Sequence, residues 1–221
     1  MVYPISKLFF RIIRFLLIKN VEGLENIPED GPFIVAANHQ SHLDGFLIAA
    51  YVIQIRDQKI HFFAKQEFTS YFGAFIENLL YKKWADCIFV EKEGTKQRGL
   101  KAIKQASILL GKGELVGIFP EGTRTKTGSL QEGRTGIVRV LFNTKKDIPI
   151  VPVGINDAHQ MLPREKMIPR IWRARASIKF GKPFSLKNLK KQKVTKRMLR
   201  KTTTFIMKKI AKEAGKKYAN T

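Results

Sequence analysis

Two short clusters in the chain combine residue types that can move a proton and hold an anion. The first is Asn38-His39-Gln40-Ser41-His42-Leu43-Asp44. An imidazole titrates near neutral pH, so His39 can serve as a general base. Asp44, five residues on, can fold back onto the ring as a helix begins. A carboxylate there fixes the tautomer and stabilises the imidazolium formed on proton uptake. Ser41 lacks the Gly-x-Ser-x-Gly frame of a nucleophile elbow, and the cluster holds no cysteine. The chemistry indicated is activation of a bound hydroxyl. His42 reads as a capping or structural histidine. Alone the spacing is weak, because a chance His-x4-Asp arises in about one chain in five of this kind.

The second cluster is Phe119-Pro120-Glu121-Gly122-Thr123-Arg124. Gly122 lets the backbone turn tightly and approach a ligand. Free N–H groups, the Thr123 hydroxyl and the Arg124 guanidinium would make an oxyanion or phosphate cradle. Lys126 adds a cation, and Glu121 would position Arg124 or accept a ligand hydroxyl. An ordinary strand-to-loop turn with surface charges fits the same residues. Lys92, in Phe89-Val90-Glu91-Lys92, and Lys65, at the end of HFFAK, are further candidate phosphate ligands. Taken singly, each reads as a surface lysine. Gly111-Lys112-Gly113 has no Gly-Lys-Ser/Thr and precedes its strand, so it reads as a helix stop. No metal-ligand set is visible, and His61 and His159 stand alone as structural residues.

Both clusters follow buried strands, and the elements around them repeat one pattern. PFIVAAN (32–38), HFFAK (61–65), CIFV (87–90), ELVGIFP (114–120) and IPIVPVGI (148–155) read as strands, with SIKFG (177–181) as a sixth. Helices are expected over 45–53, 67–80, 95–110 and 135–143. Strands that are apolar throughout and alternate with helices imply an α/β fold. Its central sheet would be mixed but largely parallel, with helices on both faces. Ligands then bind beyond the carboxyl ends of the strands, where both clusters fall.

Residues 5–18, ISKLFFRIIRFLLI, are interrupted by Arg11 and Arg14. A membrane span needs ~20 apolar residues, and no cleavage site follows. Lys7, Arg11 and Arg14 fall on one helical stripe with bulky apolar residues over the rest. The pattern suits an amphipathic helix in the membrane interface, its basic residues toward lipid phosphates. A terminal helix packed on the core is the alternative. The organisation expected is an interfacial helix over 1–20, a catalytic domain over 21–183 and a basic helical segment over 184–221. The charge run of that last segment fits a solvated helix face or a membrane-contacting one.

Composition bounds the partners. The 221 residues include 41 Lys plus Arg against 18 Asp plus Glu, a formal net charge of +23, with 44% hydrophobic. That apolar share excludes a disordered polycation, and one cysteine, Cys87, excludes an internal disulfide or a cysteine-based zinc module. Such a charge needs a negative partner: a phospholipid surface, nucleic acid or a phosphorylated substrate.

The motifs then become specific. NHQSHLD matches the Asn-His-x4-Asp block of the glycerolipid acyltransferases, and FPEGTR is the whole hexapeptide of that family's third block. A given hexapeptide occurs by chance with odds on the order of one in 10⁵ or less. CIFVEK resembles the second block, IVPVGI the fourth, and LQEGRTG the stretch after the hexapeptide. Over roughly residues 21–183 the chain resembles the 1-acylglycerol-3-phosphate O-acyltransferases. The resemblance implies the glycerol-3-phosphate acyltransferase-like fold, acyl-CoA or acyl carrier protein as acyl thioester donor, a lysophospholipid acceptor, no metal or other cofactor, and direct transfer. It implies His39 as base, Asp44 as its orienting partner, Arg124 and Lys92 on the acceptor phosphate, and Glu121, Gly122 and Thr123 shaping that pocket. The second block usually ends in Arg where Glu91-Lys92 stands here. Lysine is a point charge without the bidentate fork, so other lysophospholipid acceptors stay open.

The expected setting is the cytoplasmic face of a phospholipid membrane, with no nucleic-acid partner. A nucleic-acid-binding protein is the competing class on charge alone. No nucleic-acid motif is visible, and the basic tail is not interleaved with stacking aromatics. An inactive membrane-surface scaffold on the same fold is a third reading, and the intact His39, Asp44 and FPEGTR argue against it.

Overall fold

The computed structural model describes residues 4–65, 86–90, 96–144, 146–162, 170–187 and 193–218. Within them lie β1 (Ile18–Glu22), β2 (Ile34–Ala37), β3 (Ile60–Lys65), β4 (Ile88–Val90), β5 (Leu115–Ile118), β6 (Ile150–Asn156) and β7 (Ala176–Phe180). They form one sheet in the order β1-β7-β6-β2-β5-β3-β4. The five strands from β6 to β4 run parallel. β7 is antiparallel to β6, and β1 is parallel to β7, so the sheet is mixed at one margin only.

The helices are α1 (Pro4–Leu17), α2 (Asp44–Arg56), α3 (Lys96–Gly111), α4 (Gly136–Asn143), the single turn α5 (Ala158–Met161) and α6 (Lys196–Glu213). They cover both faces, and the pleat of β2 shows why its residues are apolar without alternation. Val35 and Ala37 join α1 and α2 in one core, with Leu47, Ile48, Val151 and Ile178. Ile34 and Ala36 point the other way, into a core built with α3, α4 and α6 from Ala106, Ile137, Val140, Ile206 and Ile210. The α/β expectation with two covered faces therefore holds.

β1 is not among the strands expected from the sequence, which places the interfacial helix over 1–20. Its sequence, IKNVE, alternates only weakly and is half exposed. It is an edge strand defined by its partner, Ile18 lying beside Ala176 far along the chain. The helix expected over 67–80 lies outside the described residues. The sixth expected strand is β7.

Two terminal helices bracket this frame. On α1, Phe10 and Ile13 are buried with Leu17 beside them, and together they pack on α2. Leu8, Phe9, Ile12, Phe15 and Leu16 stay exposed. Of the expected basic stripe, Arg11 faces solvent, whereas the Arg14 guanidinium sits 5.4 Å over the Tyr51 ring of α2. A cation held over an aromatic face explains that turn inward. At the other end, the Thr195 hydroxyl caps α6 by accepting from the Met198 N–H at 3.2 Å. Leu199, Ile206, Met207 and Ile210 then seat the helix on the sheet. Among the described residues no helix is long and apolar enough to cross a membrane.

Candidate active site

β2 and β5 are adjacent and parallel, so their carboxyl ends open on one edge of the sheet. The chain leaves β2 over one face toward β3 and leaves β5 over the other toward β6. Strand order thus reverses at this pair, the crevice where α/β folds bind ligands. His39 follows the end of β2 and Glu121 the end of β5.

The first loop is tied by a single carboxylate oxygen. Asp44 opens α2 and is fully buried. Its Oδ2 lies 2.8 Å from His39 Nδ1 and accepts the Gln40 and Ser41 N–H groups at 2.6 and 2.8 Å. Both N–H groups precede the helix, so the carboxylate closes the loop back on itself, and its negative charge in the first turn also favours the helix dipole. Facing it, the Nδ1 of His39 carries the proton, which leaves the Nε2 lone pair to act as a base. Ser41 Oγ accepts from the Leu43 N–H at 3.3 Å, an ordinary turn contact. Upstream, Asn38 exchanges two bonds with Ile155 of β6, at 2.8 and 2.7 Å. That exchange moors the loop to the next strand.

Glu121 is placed differently from its sequence reading. It is 2% exposed, and its two oxygens accept the N–H groups of His39 and Gln131, each at 2.8 Å. It therefore ties the β2 loop to the far side of its own loop, through two contacts that the sequence reading does not include. Burial pushes its carboxyl above the usual value, and the two N–H donors only partly oppose this. A further bond runs from the Thr125 N–H to the His39 carbonyl at 2.9 Å. The peptide groups flanking the His39 side chain are thus held from the β5 loop on both sides.

The face of the imidazole is set by packing. His39 stacks on Phe119, with ring centroids 4.1 Å apart and planes 13° from parallel. Phe119 stacks in turn on Phe62 of β3 at 5.5 Å and 18°. Phe62 lies against Gly117, its register partner on β5, where an added Cβ would come within 2.1 Å of the Phe62 ring. A glycine within a strand here marks a site where a neighbouring ring must come close. Sequence reasoning passed over Gly117, Phe119 and Phe62, whose signal was an isolated glycine inside an apolar run.

Gly122 has φ of +68°, and an added Cβ would meet the Arg134 side chain at 2.9 Å. The turn thus needs glycine twice, for conformation and for room. Thr123 lends its carbonyl to Gln131 Nε2 at 3.0 Å. Arg124, half-buried, stands next along this loop, and Arg134 is a cation at Gly122 that the sequence reading did not single out. β3 ends on the same sheet edge at Lys65, paired with Val90. The Lys65 side chain and the whole of Lys92 lie outside the described residues.

His159 is not isolated. Its Nδ1 lies 3.3 Å from Gln40 Oε1, and its ring packs where a Cβ on Gly128 would stand. Burial lowers its pKa, and Lys216 nearby adds to that. His61 lies at the opposite edge of the sheet, its Nδ1 2.8 Å from the Asp86 carbonyl. Among the described residues no group of His, Cys, Asp and Glu could hold a metal ion.

The family model described as Acyltransferase matches residues 19–156, which contain both loops. The chain belongs to the Acyltransferase family. It is similar to the probable 1-acyl-sn-glycerol-3-phosphate acyltransferase of Mycoplasma pneumoniae, 30% identical over 164 residues, 69% of this chain and 58% of that protein. It is 29% identical over 153 residues to the 1-acyl-sn-glycerol-3-phosphate acyltransferase of Bacillus subtilis, covering 66% of this chain and 68% of that one. The matched region makes up little more than half of the Mycoplasma relatives, 58% and 54%. Among solved structures, the acyltransferase PlsC of Thermotoga maritima shares the fold. Its TM-score is 0.67 at 26% identity, covering 97% of this chain and 80% of that one. The acyltransferase match ends at β6, so α6 and everything after it lie outside the matched residues.

Proposed function

We propose that this acyltransferase moves a fatty acyl group from an acyl thioester to the free hydroxyl of a lysophospholipid, foremost 1-acylglycerol-3-phosphate, giving phosphatidic acid. The observation that carries the reading is the His39–Asp44 pair, at 2.8 Å, set against the FPEGTR loop at one sheet edge. His39 Nε2 takes the proton of the acceptor hydroxyl while Asp44 holds Nδ1–H and the growing imidazolium charge. The oxygen attacks the thioester carbonyl, the C–S bond breaks, and the thiolate leaves with a proton from His39. A thiolate leaves readily, so positioning and the base supply most of the catalysis. The N–H groups of His39, Gln40 and Ser41 are committed to Glu121 and Asp44. The tetrahedral oxyanion is therefore stabilised by donors outside this trio.

Arg124 binds the acceptor phosphate in this reading, with Lys92 and Lys65 as further cations. The relatives named as 1-acyl-sn-glycerol-3-phosphate acyltransferases support that acceptor. The donor is acyl-CoA or acyl carrier protein. The exposed apolar face of α1 supports docking at a phospholipid membrane, on the cytoplasmic side. A thiol-release assay with both donors against a panel of lysophospholipids tests the proposal. Preference for lysophosphatidic acid, lost in Arg124→Ala through a raised acceptor KM, is the expected result. Equal rates on acceptors without a phosphate monoester would overturn the acceptor assignment.

A further inference from the structure

The loop that carries FPEGTR is long and irregular from Phe119 to Thr135. Ordering such residues costs backbone entropy, so the loop needs anchors. Glu121 supplies one. Others come from the segment after α6, beyond the span matched by the family model.

Gly215, at φ +62°, ends α6 with two bonds: its own N–H to the Lys212 carbonyl at 3.1 Å and the Lys216 N–H to the Ala211 carbonyl at 2.9 Å. Such a left-handed stop reverses the chain at a helix end. It sends Lys216 and Tyr218 back over the loop. Lys216 Nζ donates to the Gly128 carbonyl at 2.5 Å, and the Gly133 N–H donates to the Tyr218 hydroxyl at 3.2 Å. Both side chains are half-buried. Burial lowers the Lys216 pKa, the direction that partial removal of its ammonium from water dictates. Gly128 and Gly133 also lie where neighbours pack tightly against the loop. An added Cβ would stand 2.6 Å from the His159 ring at Gly128, and 2.6 Å from Met207 of α6 at Gly133. The Gly128 carbonyl also faces Gln40 Nε2 at 3.5 Å, and Gln40 follows His39 directly. The chain after α6 therefore meets the loop on both sides of Gln131, to which Glu121 is bonded.

We infer that Lys216 and Tyr218 are positioning residues: they clamp the 121–134 loop and so hold Arg124 in register with the acceptor phosphate. The inference rests on the reading of Arg124 as a phosphate ligand. Neither residue touches the acceptor; each acts through the loop backbone.

The test uses the full chain with Tyr218→Phe, Lys216→Met and Lys216→Arg, in wild-type and Arg124→Ala backgrounds. Removing one loop hydrogen bond should raise the acceptor KM about 2- to 10-fold. The donor KM should stay constant, and Lys216→Arg should recover most of the loss because its guanidinium can donate to the same carbonyl. In the Arg124→Ala background the same substitutions should add little, since residues acting through one contact are not additive. Hydrogen exchange supplies a readout independent of activity: the Gly133 amide should exchange faster in Tyr218→Phe. An unchanged acceptor KM in both single variants, or a full extra increase in the Arg124→Ala background, overturns the clamp. If Arg124→Ala alone leaves the acceptor KM unchanged, the phosphate reading has failed instead. The clamp then stands or falls on exchange of the 121–134 amides: faster supports it, unchanged refutes it.

Discussion

The two loops at the open sheet edge are held together in opposite ways. Around Asp44 every bond is local: the carboxylate reaches partners three, four and five residues back. Glu121 joins Gln131, 10 residues on, to His39, 82 residues away, and the same loop meets Lys216 and Tyr218 from 88 and 85 residues away. A local turn forms wherever its few residues find their geometry. A loop held by distant partners exists only once the sheet and its terminal helix have assembled. The His39–Asp44 contact is thus a local turn, while the backbone around His39 and the FPEGTR loop are placed by partners from across the fold. Substitutions in the first region should cut turnover without unfolding the protein, and those in the second should couple activity to stability.

The largest effect is expected at His39. His39→Ala should lower kcat by about 10²- to 10⁴-fold, the usual cost of losing a general base, while circular dichroism still reports a folded chain. Retention of more than about half the wild-type activity would show that the proton goes elsewhere.

Glu121→Gln probes the other region. The amide keeps one acceptor oxygen and turns a donor toward an N–H group, which should cost about 1–3 kcal/mol of stability, with a parallel fall in kcat. The sign of its pH dependence is fixed by burial. A carboxyl raised above its ordinary 4.5 in the folded chain binds more protons folded than unfolded. Its contribution to stability is full below that value and lost as pH rises through the folded pKa. Glutamine has no such loss, so the gap in melting temperature between the two proteins should narrow from pH 4 upward. A gap that widens over that range would mean the carboxylate is favoured rather than penalised by its site.

A smaller effect should follow from Gly117→Ala, which bears on the stack beneath His39. Its Cβ would fall 2.1 Å from Phe62, whose ring backs Phe119. Forced repacking of this kind costs about 1–3 kcal/mol. The expected outcome is a lowered melting temperature and a several-fold lower kcat, relieved in part by a smaller residue at Phe62. A double variant that recovers neither would dissociate the ring stack from the orientation of the base.

Legibility in the sequence followed the same division. The α/β frame was readable because strands covered on both faces are apolar throughout, as in the PFIVAAN run around β2. His39 and Asp44 were readable as chemistry because their contact is five residues long. β1 was missed, since an edge strand with the pattern IKNVE takes its identity from β7. The true partners of Glu121 were missed for the same reason, as nothing near residue 121 announces the His39 N–H. Gly215-Lys216-Lys217-Tyr218 read as the end of a basic tail, because a helix stop has a local signature but its destination does not. The Gln40–His159 contact spans 119 residues and left no trace in spacing.

The smallest effect on turnover in detergent should come from the outer face of α1, which shares no bond with either loop among those described. Deleting the helix would confuse two roles, because Phe10 and Ile13 belong to the core. Point substitutions separate them. Phe15 is 78% exposed, and the Arg175 guanidinium donates to the Phe15 and Ile18 carbonyls at the end of the helix. Burying a large apolar side chain is worth about 1.5–3 kcal/mol, so Ile12→Ser with Phe15→Ser should markedly weaken flotation with anionic liposomes. Turnover of lysolipid in bilayers should fall with it, while turnover in detergent and the melting temperature stay near wild type. If flotation is unchanged, the exposed face of α1 is not the docking surface, and the basic face of α6 becomes the next to substitute. If detergent activity falls equally, the outer face of α1 supports the fold as its inner face does, and the separation between a docking region and a catalytic one is lost.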